Sequence, residues 1–291
     1  MTSVIAVTRT YQAGATFATY DREKFQKGVV APILKLLDTA PPCLKGIVVV
    51  SCGEAGSKYA EEMRDGDTVT SALIRQEFAD EVANGIVHPV VTTNWGLNGG
   101  SGTALNDGVE VARSLGAGRV LLWSKEIDLS GHMLSEMIEH MDRYDLPLVG
   151  YARMRWFQRL AWTFAQNTCA LWDMNTLART QGFDPICNGD GKTTVKTEEF
   201  GDVPLAGMED YHTYLRASKL HGAFLRWGVV GQRHPAIWDT SMKKPGSPEY
   251  IANAKKVARQ GLVMEEYGRM IFPQMEPVEV YDELMARLVI A

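Results

Sequence analysis

The 291 residues are 45% hydrophobic and 22% charged, the balance of a globular chain long enough to bury a substantial core. A net charge of −5 leaves no basic footprint to follow a nucleic-acid backbone, and no stretch approaches the roughly 18 apolar residues of a spanning helix. Cys43, Cys52, Cys169 and Cys187 show no CxxC or His-linked spacing, which argues against structural zinc and against a disulfide framework.

In chain order, SVIAVT (3–8) is the first apolar, β-branched run. The opening MTSVIAVTRTYQ lacks the basic start and long apolar run of a secretory signal, so the expectation is a cytoplasmic protein with reduced thiols. Residues 22–38 follow as a helix with Val29, Val30, Ile33, Leu34 and Leu37 on one face, broken by Pro41 and Pro42. KGIVVVSC (45–52), a helix over 69–83, GIVHPVVTTN (85–94), a glycine-rich loop, a helix over 103–115, GRVLLWS (118–124), a helix over 130–143 and PLVGYAR (147–153) complete an alternating series. Continuous apolar strands separated by helices of this length predict a mostly parallel sheet covered on both faces. Ligands of such sheets lie beyond the carboxyl ends of the strands, where Thr8, Arg9, Thr10, Ser51, Cys52, Asn94, Trp95 and the Ser124-Lys125-Glu126 run fall.

After residue 153 the alternation stops. CALW (169–172) and AFLRWGVV (223–230) read as strands, with a polar, glycine-containing loop over 188–206 between them. MEDYHTYLRASKLHG (208–222) is a helix closed by Gly222. The tail reads as two helices, 248–269 and 277–289, each preceded by proline. YARMRWFQR mixes Arg153, Arg155 and Arg159 with aromatics; it is either a local anion or acceptor surface or a half-buried connection with snorkelling arginines.

Three constellations carry possible chemistry, and each has a plainer account. NGGSGTALNDGVEVA (98–112) opens a helix with free backbone N–H groups that can face an anion, or it is a tight strand-to-helix turn. Glu126, at the end of a buried strand, can coordinate a hard divalent cation that bridges a diphosphate, or it is a solvated strand end. Glu209 and Asp210 begin a helix, where a carboxylate can serve as general base, or they simply complement the macrodipole.

Taken in order, these pieces resemble the GT-A-fold nucleotide-sugar glycosyltransferases, especially the inverting group called family 2, and also the β-galactosyltransferase type. Asn98, Gly100, Ala104, Asn106, Gly108 and Ala112 fit the N-x-G-x-x-x-A-x-N-x-G-x-x-x-A stretch of those enzymes, with Leu105 where arginine is frequent. RVLLWSKEIDLS matches the position of their D-x-D metal strand, GMEDYHTYLR their Gly-x-Glu-Asp element, and VVGQRHPAIWD places His234 where many carry a further metal ligand. The matches span residues 1–240. They imply a GT-A-like domain with a nucleotide-binding half (1–128) and an acceptor-side half (129–240), followed by a helical C-terminal extension (241–291).

The resemblance implies transfer of a sugar from a nucleoside diphosphate sugar to an acceptor hydroxyl, with Asp210 as base and Glu209 binding a sugar hydroxyl. Thr8, Arg9, Thr10, Asn98, Gly100 and Asn106 would contact the nucleotide. Glu126 and His234 would hold Mn²⁺ or Mg²⁺; Lys125 could supply positive charge in its place. Trp172 could stack on an acceptor ring, and loop 188–206 could close over the donor. Two departures stand out. Ser124-Lys125-Glu126 replaces D-x-D, and VVVSCGEAG offers no counterpart to the acid that contacts the base in those enzymes. A GT-A-like binding module without turnover, and a nucleotidyltransferase acting on sugar phosphates, stay open as alternatives.

Overall fold

The computed structural model describes residues 2–10, 12–57, 59–93, 95, 102–124, 127–151, 169–180, 182–183, 194–197, 201–204, 209–230 and 271–290. Eight strands form one sheet: β1 (Val4–Arg9), β2 (Leu44–Cys52), β5 (Val87–Thr92), β6 (Arg119–Ser124), β7 (Leu148–Tyr151), β8 (Cys169–Asp173), β11 (Trp227–Val230) and β12 (Leu288–Ile290). Their order is β12-β11-β7-β8-β6-β1-β2-β5. All neighbours are parallel except β8, which runs antiparallel to both β6 and β7. Two short antiparallel hairpins stand apart, β3 (Met63–Arg64) with β4 (Asp67–Thr68), and β9 (Thr194–Thr197) with β10 (Gly201–Pro204). The second occupies part of the expected loop.

Alternate side chains of each central strand feed two cores, which is why the strands read as unbroken apolar runs. On one face Val4, Ala6, Ile47, Val49 and Leu121 meet the helical run 22–39, α3 (Val69–Glu77) and α6 (Gly131–Tyr144). On the other, Ile5, Val7, Val48, Val50 and Leu122 meet α5 (Gly102–Ser114), α7 (Met174–Arg179), α8 (Glu209–His221) and α9 (Pro277–Ala286). A short α4 (Ala79–Ala83) precedes β5. Trp172 is fully buried in the second core, which corrects the expectation that it stacks on an acceptor.

Local chemistry explains the helix ends. Thr68 and Ser130 cap α3 and α6 through their hydroxyls, and Asp173 caps α7. Gly222, at φ +72°, ends α8 with its own N–H on Lys219 O and the Ala223 N–H on Ser218 O, a Schellman pair. The run 22–39 is less regular. It comprises α1 (Arg22–Phe25), a π-helical turn (Gln26–Val30) and α2 (Ala31–Thr39). Pro32 has no N–H to give Gly28 O, and the ladder widens one residue earlier, where the Ala31 N–H bonds Gln26 O.

The second tail helix ends sooner than expected. Leu288-Val289-Ile290 leaves α9 and pairs in parallel with β11, so these residues complete the sheet edge instead of extending the helix. An apolar, partly β-branched run of three satisfies a strand as readily as a helix face. The Trp227 indole N–H donates to Leu284 O at 3.1 Å, and the Trp227 backbone N–H donates to Arg287 O at 3.2 Å. The other expected helix, 248–269, lies outside the described residues, as does the Arg153-Arg155-Arg159 cluster. Among the described residues, no helix is long and apolar enough to cross a membrane.

Candidate functional site

The sheet reverses its winding at β1. The chain runs β1, β2, β5 toward one edge, then returns over α5 to place β6 on the other side of β1. The crevice outside the carboxyl ends of β1 and β6 is therefore the topological switch point, the general ligand position of such sheets. Arg9 lies opposite Ser124 on β6 and Val50 on β2, and the Thr10 N–H extends the ladder to Val50 O at 2.9 Å. Thr8 and Thr10 are buried. Among the described residues the Thr8 hydroxyl has no hydrogen-bond partner. After Ser124, the Ile127 N–H donates to Ser124 O at 2.9 Å and the Trp123 indole N–H to Ile127 O at 3.1 Å. Asp128 forms an ion pair with Lys35 of α2.

Beside the end of β1 opens a cavity of about 510 Å³. Thr10, Gln12, Gly14, Tyr20, Lys24 and Phe25 are among its walls. The loop that makes most of this wall is closed by Gln12. Its amide donates to Asp21 O at 2.8 Å and accepts from the Asp21 N–H at 2.9 Å. Asp21 caps α1, and the Lys24 backbone N–H holds its carboxyl below the ordinary range. Tyr20 shares a 2.6 Å hydrogen bond with the Thr70 hydroxyl, and burial pushes its phenol upward. Glu61, 5% exposed, accepts the Gln12 N–H at 2.8 Å, the Thr70 N–H at 2.8 Å and the Thr70 hydroxyl at 2.7 Å. Desolvation raises its carboxyl pKa against those donors.

An acid does stand just past β2. The Glu54 carboxylate, two residues beyond it, accepts the backbone N–H of the buried Trp95 at 2.8 Å. The Thr92 hydroxyl, at the end of β5, donates to Asp107 of α5.

The remaining expected residues divide sharply. Asn106 points its amide at Phe183, accepting that residue's N–H at 2.6 Å and donating to its carbonyl at 2.9 Å. This ties α5 to the chain beyond α7, a structural use where a nucleotide contact was expected. Glu209 and Asp210 are the first two residues of α8; their side chains are outside the described set. Asn98, Gly100, Lys125, Glu126 and His234 also lie outside it. Among the described residues, no group of three or more His, Cys, Asp or Glu side chains could hold a metal ion. Gln12, Tyr20 and Glu61 were missed because only the fold brings them together.

Compared by sequence, the chain matches no family model and no curated protein. Its fold has solved counterparts. S. aureus TarS aligns with a TM-score of 0.54 at 12% identity, over 98% of this chain and 43% of TarS. TarS 1–349 in complex with UDP gives 0.46 at 12% identity, over 74% of this chain and 55% of that one. A 4-diphosphocytidyl-2C-methyl-D-erythritol synthase gives 0.42 at 13% identity, over 88% and 99%. The chain spans about half the length of the first two TarS structures, and the likeness in fold rests on the 0.54 alignment. With a central, mostly parallel sheet flanked by helices and reversed at β1, the chain has a GT-A-like α/β fold.

Proposed function

We propose that the protein is a glycosyltransferase that moves a sugar from a nucleoside diphosphate sugar to an acceptor hydroxyl with inversion. The observation that carries this reading is the GT-A-like sheet reversed at β1, together with a cavity of about 510 Å³ walled from Thr10 onward by the loop that leaves that strand. In this reading Thr8, Arg9 and Thr10 meet the nucleotide, with Asn98, Gly100 and Lys125 toward its diphosphate. Asp210 takes the proton of the acceptor hydroxyl as that oxygen attacks the anomeric carbon. The bond to the diphosphate breaks on the opposite face, and the diphosphate leaves with the electron pair. The positive end of the α8 macrodipole favours the ionised form that a base requires. Glu209 binds a sugar hydroxyl. Glu126 and His234 would hold Mn²⁺ or Mg²⁺, whose charge would stabilise the leaving diphosphate.

Thermal unfolding with UDP and a panel of nucleoside diphosphate sugars, with and without Mn²⁺, tests the donor. A ligand at about 100 times its Kd adds about 2.7 kcal/mol of stability. In transfer assays Asp210→Asn keeps donor binding and loses turnover by a factor of about 10² or more. Full transfer by that variant refutes the base, and full activity in chelator removes the metal. Donor binding without transfer or hydrolysis makes the protein a binding module instead.

A further inference from the structure

Glu61 presents an unusual arrangement for a carboxylate. It is buried, and among the described residues it has no ion pair; every strong contact it makes is a neutral donor. Removing a carboxylate from water without a cation is costly, and three converging hydrogen bonds offset that cost only while the donors stay in place. The donors come from two separated segments. One is Gln12, in the loop after β1; the other is Thr70, in the first turn of α3. Glu61's own N–H donates to Cys52 O at 3.0 Å, which anchors it to the end of β2.

The residues on either side of Glu61 brace the same loop. The Gly14 N–H donates to Ala60 O at 2.9 Å and the Glu62 N–H to Ala15 O at 2.8 Å. The Glu62 carboxylate accepts the Phe17 N–H at 2.8 Å, and the Arg64 guanidinium lies 4.3 Å from the centre of the Phe17 ring. Glu61 supplies the one member of this brace that reaches Gln12, whose amide then fixes Asp21 and closes the loop. Glu61 itself is not among the cavity walls; Gln12, Tyr20 and Asp21 are.

We propose that Glu61 is the positioning residue of this cavity: its buried carboxylate holds loop 10–21 in the shape that walls the cavity, and so sets donor affinity without touching the donor. The affinity part rests on the reading of the cavity as a donor site; the loop part does not. A hydrophobic residue of similar volume would strand the Gln12 and Thr70 N–H groups, so an acceptor at this position is what ties the two segments together.

The test uses the full chain with Glu61→Gln and, because a buried change can prevent folding, Thr70→Val. The latter keeps its shape but removes the hydroxyl that both Glu61 and Tyr20 use. Amide hydrogen exchange is followed over residues 12–21 and over β1 and β2, and UDP affinity is measured by calorimetry. Glu61→Gln should speed exchange over 12–21 and weaken UDP binding, each by about ten-fold or more, while β1 and β2 keep wild-type protection. Thr70→Val should shift both in the same direction, by less. Folded variants with wild-type exchange over 12–21 overturn the proposal, as does a loosened loop with unchanged UDP affinity. If the wild-type protein binds no nucleoside diphosphate, the donor reading fails, and exchange over 12–21 still decides whether Glu61 holds the loop.

Discussion

Replacing Gly108 with alanine would force α5 away from the sheet. A Cβ built at that position lies 2.5 Å from Val7 Cγ1 and 2.9 Å from Val50 Cγ2. Both valines are fully buried on central strands, and their branched side chains have little rotamer freedom to yield. Restoring an ordinary contact requires the helix to rise by about 1 Å, and overpacking of this kind costs about 1–3 kcal/mol. Alanine in a helix interior recovers about 1 kcal/mol relative to glycine, so the net loss is about 0–2 kcal/mol. Each kcal/mol corresponds to about 2–4 °C in Tm for domains approaching this size. Calorimetric unfolding of Gly108→Ala and of Gly108→Ala/Val7→Ala measures the contact directly. Removing Val7 Cγ1 should make the alanine more tolerable, with a coupling of about 0.5 kcal/mol or more. Gly108→Ala more stable than wild type by the full propensity gain, with no coupling to Val7, would refute the close-approach argument.

Asn106→Ala should lose about 1–3 kcal/mol of stability by stranding both backbone groups of Phe183, yet leave UDP affinity within two-fold or so; a large loss of affinity at unchanged stability would restore Asn106 to the nucleotide. Because burial raises the Glu61 carboxyl, Glu61 binds its proton more readily in the folded chain. Its contribution is therefore present below the ordinary value of about 4.3 and is lost as pH rises through the folded pKa. Wild type should gain stability over Glu61→Gln between about pH 7 and about pH 4 in urea titrations. Tyr20 and Cys52, the titratable groups that feel the Glu61 charge, are present in both proteins, and a pH-independent difference would contradict the sign. Burial alone pushes the Cys169 thiol up to about 12, so it should resist a thiol reagent in the native chain and react on unfolding, as peptide mapping would show.

Much of this architecture was legible because two-sided burial leaves a plain mark. IVVV in β2 and VLLW in β6 are apolar without alternation, and only strands covered on both faces tolerate that. CALW marked a strand but carried nothing of its direction, and β8 runs against its neighbours. The helix over 22–38 was readable from its apolar spacing, and Val29, Val30 and Ile33 are buried as expected; Leu34 is exposed and Leu36 takes its place in the core, and nothing in the spacing marked the extra residue of the π turn. The strand ends at Thr8–Thr10 and Ser124 could be placed in one crevice once a parallel sheet was inferred. Glu61 could not, because YAEEMRDGD reads as a solvated stretch and its donors lie 49 and 9 residues away.

The widened turn at Gln26–Val30 lets one helical run serve two surfaces. An inserted residue rotates the helix on its N-terminal side by about 100° relative to the helix on its C-terminal side. Past the turn, Ile33 and Leu36 seat into the core under the sheet; before it, Phe25 joins that core and, with Lys24, also walls the cavity. A straight helix through Pro32 would turn one of these segments out of register with the other, so restoring its regularity would reshape the helical wall of the cavity.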